Sequence, residues 1–195
     1  MRWSVWTWRW HGPNSTISAS AVRAGFQAPS CVARLQTLAR ILRMMARMNI
    51  FEALRVSHET QRALSGRLLA SEPNTPERPR VFLELKRELL AHETAEERCF
   101  YVPLFEHDTT VDAARHAISE HHEMDEMVED LGRQEVTAPG WVAGAKKLCE
   151  KIEHHLKEEE TKFFQEAGKV LTEQQKLSLA KDYEAEFLTL RTQQD

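Results

Sequence analysis

The chain has 195 residues, with 26 Lys and Arg against 30 Asp and Glu, and its 42% hydrophobic content excludes a wholly disordered protein. The charge is divided unevenly: residues 1–47 contain seven Arg and no Lys, Asp or Glu, whereas residues 48–195 carry a net charge of −11. This acidic body lacks the cationic surface that nucleic-acid binding requires, and no apolar run reaches the roughly 18 residues of a membrane span. We therefore expect neither nucleic-acid binding nor a membrane span. The sequence does not indicate which protein, if any, is a partner.

The first 47 residues differ in composition from all that follows. Four Trp fall within residues 3–10, residues 12–30 are rich in Gly, Pro, Ser and Ala, and residues 31–47 have the pattern of a basic amphipathic helix. Three interpretations stay open: a transit peptide, a membrane-surface helix, or a translated stretch upstream of a true start at Met48. We expect a disordered, basic leader over 1–47 and a folded domain over 48–195.

From Met48 onward the pattern predicts helices only, because hairpin signals and period-2 alternation are missing. The predicted helices are A, 49–70; B, 75–105; C, 110–131; D, 138–168; and E, from 172 onward. Thr75 is the expected N-cap of helix B, with Pro76 at its first position. Gly132 is expected just after helix C, and Thr172 with Gln175 predicts a capping box for helix E.

The connections between helices A to D are short, so consecutive helices should pack antiparallel. The predicted fold class is all-α: an up-down-up-down antiparallel four-helix bundle with an extra C-terminal helix beside it. The three cysteines, Cys31, Cys99 and Cys149, are odd in number and have no paired spacing. They predict free thiols in a reducing compartment, and hence a cytoplasmic protein.

Polar residues interrupt the apolar stripes of helices A to D. The interrupting residues are His58 on A, His92 and Glu96 on B, His121 and Asp125 on C, and His155 and Glu159 on D. Burying His and carboxylate groups costs several kcal/mol unless something compensates. Residues at i and i+4 are neighbours on one helix face, so each such pair can bind one ion. The set therefore predicts a metal site in the bundle core, and its size suits two iron or manganese ions better than one tetrahedral zinc.

The spacing of these residues indicates an internal duplication. His58 and His92 are 34 residues apart, and so are His121 and His155. The alignment sets His92, Glu96 and Phe100 against His155, Glu159 and Phe163. A single His-x-x-x-Glu pair is usually a helix-surface ion pair, but repetition on the core-facing stripes favours a metal site.

Over about residues 48–168 the ordered set resembles the hemerythrin-like, HHE cation-binding family. The motifs are His58, HETAEE from His92, HHEMDEMV from His121 and HLKEEE from His155. The resemblance implies a non-haem centre of two iron ions per chain, bridged by oxygen and carboxylates, that binds O₂ or NO; manganese and zinc are less favoured. It also implies terminal ligands at His58, His92, His121 and His155, and bridging carboxylates at Glu96 and Glu159.

Two positions depart from the oxygen-carrying members of that family. Those members have His where Asp125 stands, and they close the set with an Asp where Glu160 stands, one residue after Glu159. A carboxylate at 125 would favour ferric iron and weaken reversible O₂ binding. Two functions are therefore predicted as alternatives: a protein that binds O₂, NO or iron for sensing, storage or stress response, and a di-iron enzyme with peroxidase-like, stress-protective activity.

Several neighbours of the predicted ligands need an interpretation of their own. His122 and His154 lie about 100° around their helices from the predicted ligand face, so they are expected at the rim. Glu97 and Glu160 each follow a predicted bridging Glu. Each should either hydrogen-bond to a residue that binds the metal or bind the metal directly. Cys99 is predicted to be a buried structural residue.

Overall fold

The computed structural model describes residues 48–193, which are all-helical. Five long helices lie in this part of the chain: α1 Ile50–Ala70, α2 Glu77–Glu96, α3 Asp108–Gly132, α4 Trp141–Glu158 and α5 Glu173–Gln193. The first four form the predicted up-down-up-down bundle, and α5 is the predicted additional helix. The predictions for residues 1–47, including Cys31, lie outside the described residues.

Both α2 and α4 continue into a π-helical turn without a break. The first π turn, Glu97–Tyr101, leads into the short helix Val102–Leu104. The second, Glu159–Phe163, leads into the helix Phe164–Val170. A π turn holds an extra residue, which shifts the facing of every side chain beyond it, and such turns are frequent at functional sites. The two turns occur at matching positions of the duplicated halves.

Capping boxes begin two of the helices. Asn49 accepts a hydrogen bond from the backbone N–H of Glu52, whose carboxylate accepts from the N–H of Asn49. The predicted box before α5 is confirmed: the N–H of Gln175 donates to Thr172 Oγ1 at 3.3 Å, and the N–H of Thr172 donates to Gln175 Oε1 at 2.9 Å. These reciprocal bonds satisfy N–H groups that the first helical turn leaves unpaired.

The predicted ends of the middle helices need correction. Thr75 is not the N-cap of α2: its hydroxyl donates to the carbonyl of Glu72 within the preceding loop, and Pro76 precedes the first helical residue. Gly132 is the last residue of α3 instead of the residue after it. α4 begins at Trp141, because a turn closed by the Trp141 N–H and the Ala138 carbonyl precedes it.

The buried apolar residues form two clusters at opposite ends of the bundle. One cluster holds Leu54, Phe100, Phe163 and other residues from the start of α1 and α3 and from the ends of α2 and α4. The other holds Leu64, Trp141 and their neighbours at the far end. A large apolar side chain contributes roughly 1.5–3 kcal/mol when buried, so both ends are well stabilised. Between the clusters lies a layer of buried polar residues.

Helix α5 packs against α1 and α2, and its Ala180 and Tyr183 join the first apolar cluster. Cys99 is half-buried, less than predicted, and Cys149 is buried; the two form no disulfide within residues 48–193. None of the helices among residues 48–193 combines the length and hydropathy needed to cross a bilayer.

Candidate metal centre

Four histidines meet in the polar layer between the apolar clusters. His58, His92, His121 and His155 come from α1, α2, α3 and α4 in turn, and each is at most 1% exposed. The rings of His58 and His92 are 5.0 Å apart, and those of His121 and His155 are 4.7 Å apart. The Nε2 atoms face inward, and those of His121 and His155 lie 3.1 Å from each other.

Two buried carboxylates complete what we call the six-residue cluster. Glu96 Oε2 lies 3.3 Å from His92 Nε2 and 3.5 Å from His121 Nε2, so this carboxylate touches both histidine pairs. Glu159 Oε2 lies 3.3 Å from His58 Nε2. The ligand atoms form two groups, each within 4.8 Å: His58, His92 and Glu96, and Glu96, His121 and His155. The sequence-predicted set is therefore brought together except for Asp125.

Unpaired atoms inside the cluster test whether it fits a metal. Within residues 48–193, four inward atoms have no hydrogen-bond partner: His58 Nε2, His92 Nε2, Glu96 Oε1 and Glu159 Oε2. Leaving a buried polar atom unpaired costs about 1–3 kcal/mol, and more when the group is charged. Cations at this position would satisfy all four atoms and offset the buried negative charge. The imidazole and carboxylate donors thus fit metal binding.

Each histidine is held from outside through its Nδ1 atom. The partners are Glu160 Oε1 for His58 at 2.8 Å, Tyr183 Oη for His92 at 2.9 Å, Glu97 Oε1 for His121 at 2.9 Å and Glu120 Oε2 for His155 at 3.0 Å. Such bonds fix the orientation of a ligand ring and make its other nitrogen more basic. Glu97 and Glu160 thus lie outside the cluster, at the outer nitrogens of two histidines.

The π turns place a second set of contacts around the cluster. Tyr101 stacks on His121 with ring centroids 5.5 Å apart, and its hydroxyl lies 2.9 Å from both Glu96 Oε2 and Glu159 Oε1. The wide first π turn brings Glu96 and Tyr101, five residues apart, to the same side of the helix. Phe164, at the matching position of the other half, stacks on His58 at 5.9 Å.

In the metal-free cluster the pKa values of His58 and His92, the first histidine pair, are shifted in opposite directions. Burial lowers the pKa of His58, but the adjacent carboxylates of Glu159 and Glu160 outweigh that effect and raise the pKa to about 9. Burial, assisted by the charge on His58, lowers the pKa of His92 to about 3. His58 is therefore the proton-bearing histidine of this pair at neutral pH, and its neighbour is neutral.

The pKa values of His121 and His155, the second pair, are also shifted in opposite directions. Burial and the neighbouring His155 lower the pKa of His121 well below its usual value. Burial also opposes protonation of His155, but Glu120 outweighs it and raises the pKa. In return His155 and Lys151 lower the pKa of Glu120 to about 2 against the effect of burial. Each pair thus has one histidine disposed to carry a proton where a metal would otherwise supply positive charge.

Asp125 is not part of the cluster, contrary to the sequence-based prediction. Its side chain is exposed and faces the buried Glu93, and burial together with nearby carboxylates raises the pKa of both. The reason is chain direction. Glu96 and Glu159 follow their histidines on α2 and α4, but α3 runs antiparallel to both, so residue 125 lies one turn away in the opposite direction. Ala117 occupies the corresponding position on α3 and packs in the apolar cluster.

Three residues at the site were not predicted. Tyr101 and Glu120 carried no signal beyond their nearness to motif residues, and Tyr183 lies on the apolar stripe of the last helix, a pattern that indicates a core residue and not a site residue. Glu120 is 3% exposed, and a charged residue on a buried face is a usable signal once the register of the helix is known. Conversely, the side chains of His122 and His154 are 75% and 63% exposed and point away from the cluster.

A cavity of about 160 Å³ reaches the cluster between α3 and α4. His155 and Glu159 lie on its inner wall, and His116, Glu158 and Lys162 lie among the residues nearer solvent. The space holds a few water molecules, each of which takes up about 30 Å³ in the liquid. A molecule of a few atoms can therefore approach the cluster from this side.

Comparisons with known proteins agree with this geometry. The hemerythrin HHE cation binding domain matches residues 49–167. The chain is also similar to the crystal structure of a hemerythrin HHE cation binding domain-containing protein from Mycobacterium kansasii, with 23% identity, a TM-score of 0.67, and coverage of 75% of this chain and 89% of that chain. That likeness bears on the fold alone. No curated protein matches significantly. Because the family match spans more than half of the chain and contains the whole six-residue cluster, the chain belongs to the hemerythrin HHE cation-binding family.

Proposed function

We propose that the protein holds two iron ions in the six-residue cluster and binds a small diatomic molecule, O₂ or NO, at them. The observation that carries this proposal is the meeting of four inward Nε2 atoms with two carboxylates; several of these atoms have no hydrogen-bond partner in the described part of the chain. Two ligand groups that share Glu96 favour two ions over one. Mixed imidazole and carboxylate donors suit iron better than zinc, and bound iron would supply the electrons and open coordination positions that O₂ or NO requires.

The surrounding residues support a stable but redox-active centre. Glu97, Glu120 and Glu160 hold three of the four histidines and would make their inward nitrogens stronger donors. Together with Glu96 and Glu159 they place five carboxylates in or next to the site. This concentration of negative charge suits cations of high charge, and the apolar clusters keep water from both ends of the layer, so that the cavity between α3 and α4 offers the approach for small molecules.

The cavity limits what the site can accept. At about 160 Å³ it has room for molecules from a diatomic gas up to about the size of benzene next to His155 and Glu159, and a larger organic substrate would have to displace side chains. This favours gas binding for sensing or stress response over an oxidation that needs a large substrate. The location of the protein in the cytoplasm stays a prediction.

A second candidate is an enzyme that reduces or disproportionates hydrogen peroxide. The observation that favours it is the presence of charged and polar side chains at the cavity, where His116, Glu158 and Lys162 lie on the route to the cluster. Hydrogen peroxide donates and accepts hydrogen bonds, whereas O₂ and NO scarcely do so, and a charged approach suits it better. The carboxylate of Asp125, which first suggested enzyme chemistry, lies outside the cluster and gives this candidate no support.

Metal analysis of the full chain, purified in air, tests the proposal. We expect about two iron ions per chain and near-ultraviolet absorption from the oxidised centre. One zinc ion and a colourless protein would contradict it. Adding NO or O₂ to the anaerobically reduced protein should then change the spectrum with saturation at a fixed ratio to iron. Sustained peroxide consumption without such a saturable adduct would favour the enzyme instead.

Adjacent histidines on α3 provide a matched pair of variants. His121→Ala should lose iron, because His121 Nε2 lies in the cluster. His122→Ala should keep it, because His122 is exposed and pairs with Glu126 at 3.4 Å. Equal iron loss in both variants would mean that instability of α3, and not the loss of a ligand, accounts for the result.

A further inference from the structure

One of the four histidines is held differently from the others. His58, His121 and His155 each have a carboxylate at Nδ1, whereas His92 has the phenol oxygen of Tyr183 at 2.9 Å. Tyr183 lies on α5, beyond residues 49–167 that match the family. It is 3% exposed and its ring packs beside that of His92, with centroids 6.0 Å apart. A helix outside the family domain thus contributes a polar contact to the candidate centre.

We propose that Tyr183 is a positioning residue that fixes the tautomer and orientation of His92. In this arrangement the Nδ1–H of His92 donates to the oxygen of Tyr183. The Nε2 atom is then left unprotonated and directed toward Glu96, whose Oε2 is 3.3 Å away. The effect on metal affinity rests on the proposed function, but the effect on His92 itself does not.

The residues behind Tyr183 support this direction of hydrogen bonding. Ser57 lies 2.7 Å from Glu88 Oε1 and must donate to it, because a carboxylate only accepts. The oxygen of Ser57 can then accept hydrogen bonds, as it does from the amide of Gln61 at 3.4 Å, and Ser57 and Tyr183 lie in the wall of the same cavity. In the proposed arrangement the hydroxyl proton of Tyr183 points toward Ser57, so Tyr183 accepts from Nδ1–H of His92.

The hydrogen bonds thus connect the carboxylate of Glu88 to His92 only through Ser57 and Tyr183. Glu88 is 4% exposed, and its other oxygen lies 3.8 Å from a guanidinium nitrogen of Arg191 on α5. In the proposed arrangement the donors run from His92 through Tyr183 and Ser57 to Glu88. Because a neutral phenol withdraws the Nδ1 proton less than a carboxylate does, His92 should be the weakest of the four imidazole donors. The ion held by His58 and His92 should accordingly bind less tightly than the ion held by His121 and His155.

The metal-free protein provides a test that does not depend on the metal. We expect ¹⁵N NMR of the wild-type histidines to show His92 neutral with its proton on Nδ1. In Tyr183→Phe the same measurement should show His92 with the proton shifted to Nε2 or divided between the two nitrogens. Thr189→Val is the matched control, because it removes a hydroxyl from α5 that bonds only to the helix carbonyl of Ala185. An unchanged His92 tautomer in Tyr183→Phe would overturn the proposal.

Metal competition provides the second test. Titrating the iron-loaded full chain with a chelator should show that Tyr183→Phe weakens one of two ions by about 10–100-fold and leaves the other unchanged. Ser57→Ala should weaken the same ion to a smaller extent, and Thr189→Val should weaken neither. Equal weakening of both ions, or of none, would overturn the positioning role.

The identity of the affected ion can be checked separately. Glu120→Gln, which alters the partner of His155, should weaken the ion that Tyr183→Phe leaves unchanged, and the double variant should weaken both. Circular dichroism of each variant excludes loss of the fold as the cause. A wild-type chain that binds no metal would contradict the proposed function, whereas the tautomer measurement would still decide the role of Tyr183.

Discussion

The two histidine pairs have matching surroundings on one side and different surroundings on the other. Glu160 holds His58 just as Glu97 holds His121, and Phe164 stacks on His58 as Tyr101 stacks on His121. These matching residues follow the aligned His-x-x-x-Glu motifs of α4 and α2. The duplicated sequence therefore builds a pseudo-symmetric cage around the cluster.

The differences have two sources. The hydroxyl of Tyr101 has no counterpart on Phe164. His92 and His155 also have unrelated outer partners, Tyr183 on α5 and Glu120 on α3. The comparison shows that the repeat supplies the ligands, whereas residues outside the repeated motif distinguish one half of the centre from the other. Two ions bound here should differ in affinity and in redox behaviour.

The largest expected effect comes from the residue that both halves share. Glu96→Ala should reduce the metal content from about two ions per chain to almost none, because Glu96 belongs to both ligand groups. Metal analysis of the purified variant measures this. Glu84→Ala is the control, since Glu84 lies on the surface of α2 and pairs with Arg67 and Arg80. Retention of one tightly bound ion in Glu96→Ala would show that the two halves bind independently.

The next effect concerns pH. In the metal-free protein the pKa of His58 is raised to about 9, so its interactions with Glu159 and Glu160 stabilise the fold fully below pH 6.5 and are lost as pH rises through 9. The free energy of unfolding should therefore fall by roughly 1–3 kcal/mol between pH 6.5 and 9.5. Thermal unfolding with chelator present measures this.

Two comparisons separate this effect from general alkaline instability. His58→Gln should remove most of the pH dependence, because Gln carries no proton that is lost in this range. Metal-loaded protein should also show little change, because a metal-bound imidazole is already unprotonated. A wild-type slope that persists in His58→Gln would assign the effect to another group.

A smaller effect is expected from the hydroxyl that only one half has. Tyr101→Phe should lower the unfolding free energy of the metal-free protein by about 1–3 kcal/mol, because it removes the donor next to Glu96 and Glu159. The loss should shrink in the metal-loaded form, where metal ions pair with those carboxylates. Chemical denaturation of both forms measures this.

The opposite half supplies the control for that experiment. Phe164→Leu changes packing without removing a polar donor, so its cost should be similar in the metal-free and metal-loaded forms. An equal loss in both forms for Tyr101→Phe would mean that its ring, and not its hydroxyl, makes the contribution.

The smallest effect is expected at His154. Its side chain is exposed and lies 3.5 Å from Glu158, so His154→Ala should change the unfolding free energy by no more than about 0.5 kcal/mol. Its metal content should match the wild type, whereas His155→Ala should lose metal. Loss of metal in His154→Ala would require a different register for α4.

The sequence was sufficient for the fold because helix formation depends on local pattern and short connections. It placed His58, His92, His121 and His155 on core-facing stripes, since buried position follows from a 3.6-residue period. It was wrong about Asp125 because the same His-x-x-x-acid spacing has opposite meanings on antiparallel helices. Tyr183 was missed as a site residue because contacts between sequentially distant helices leave no periodic signal.

The π turn at Glu97–Tyr101 makes one contact of the centre conditional on backbone geometry. Reversion of this turn to ordinary α geometry would rotate Tyr101 by about 100° relative to Glu96 while leaving His92 in place. A shift of one residue within the turn would thus move the hydroxyl of Tyr101 away from the centre while the ligands stay in place. Amide hydrogen exchange over residues 97–101 would therefore report on the centre from the backbone.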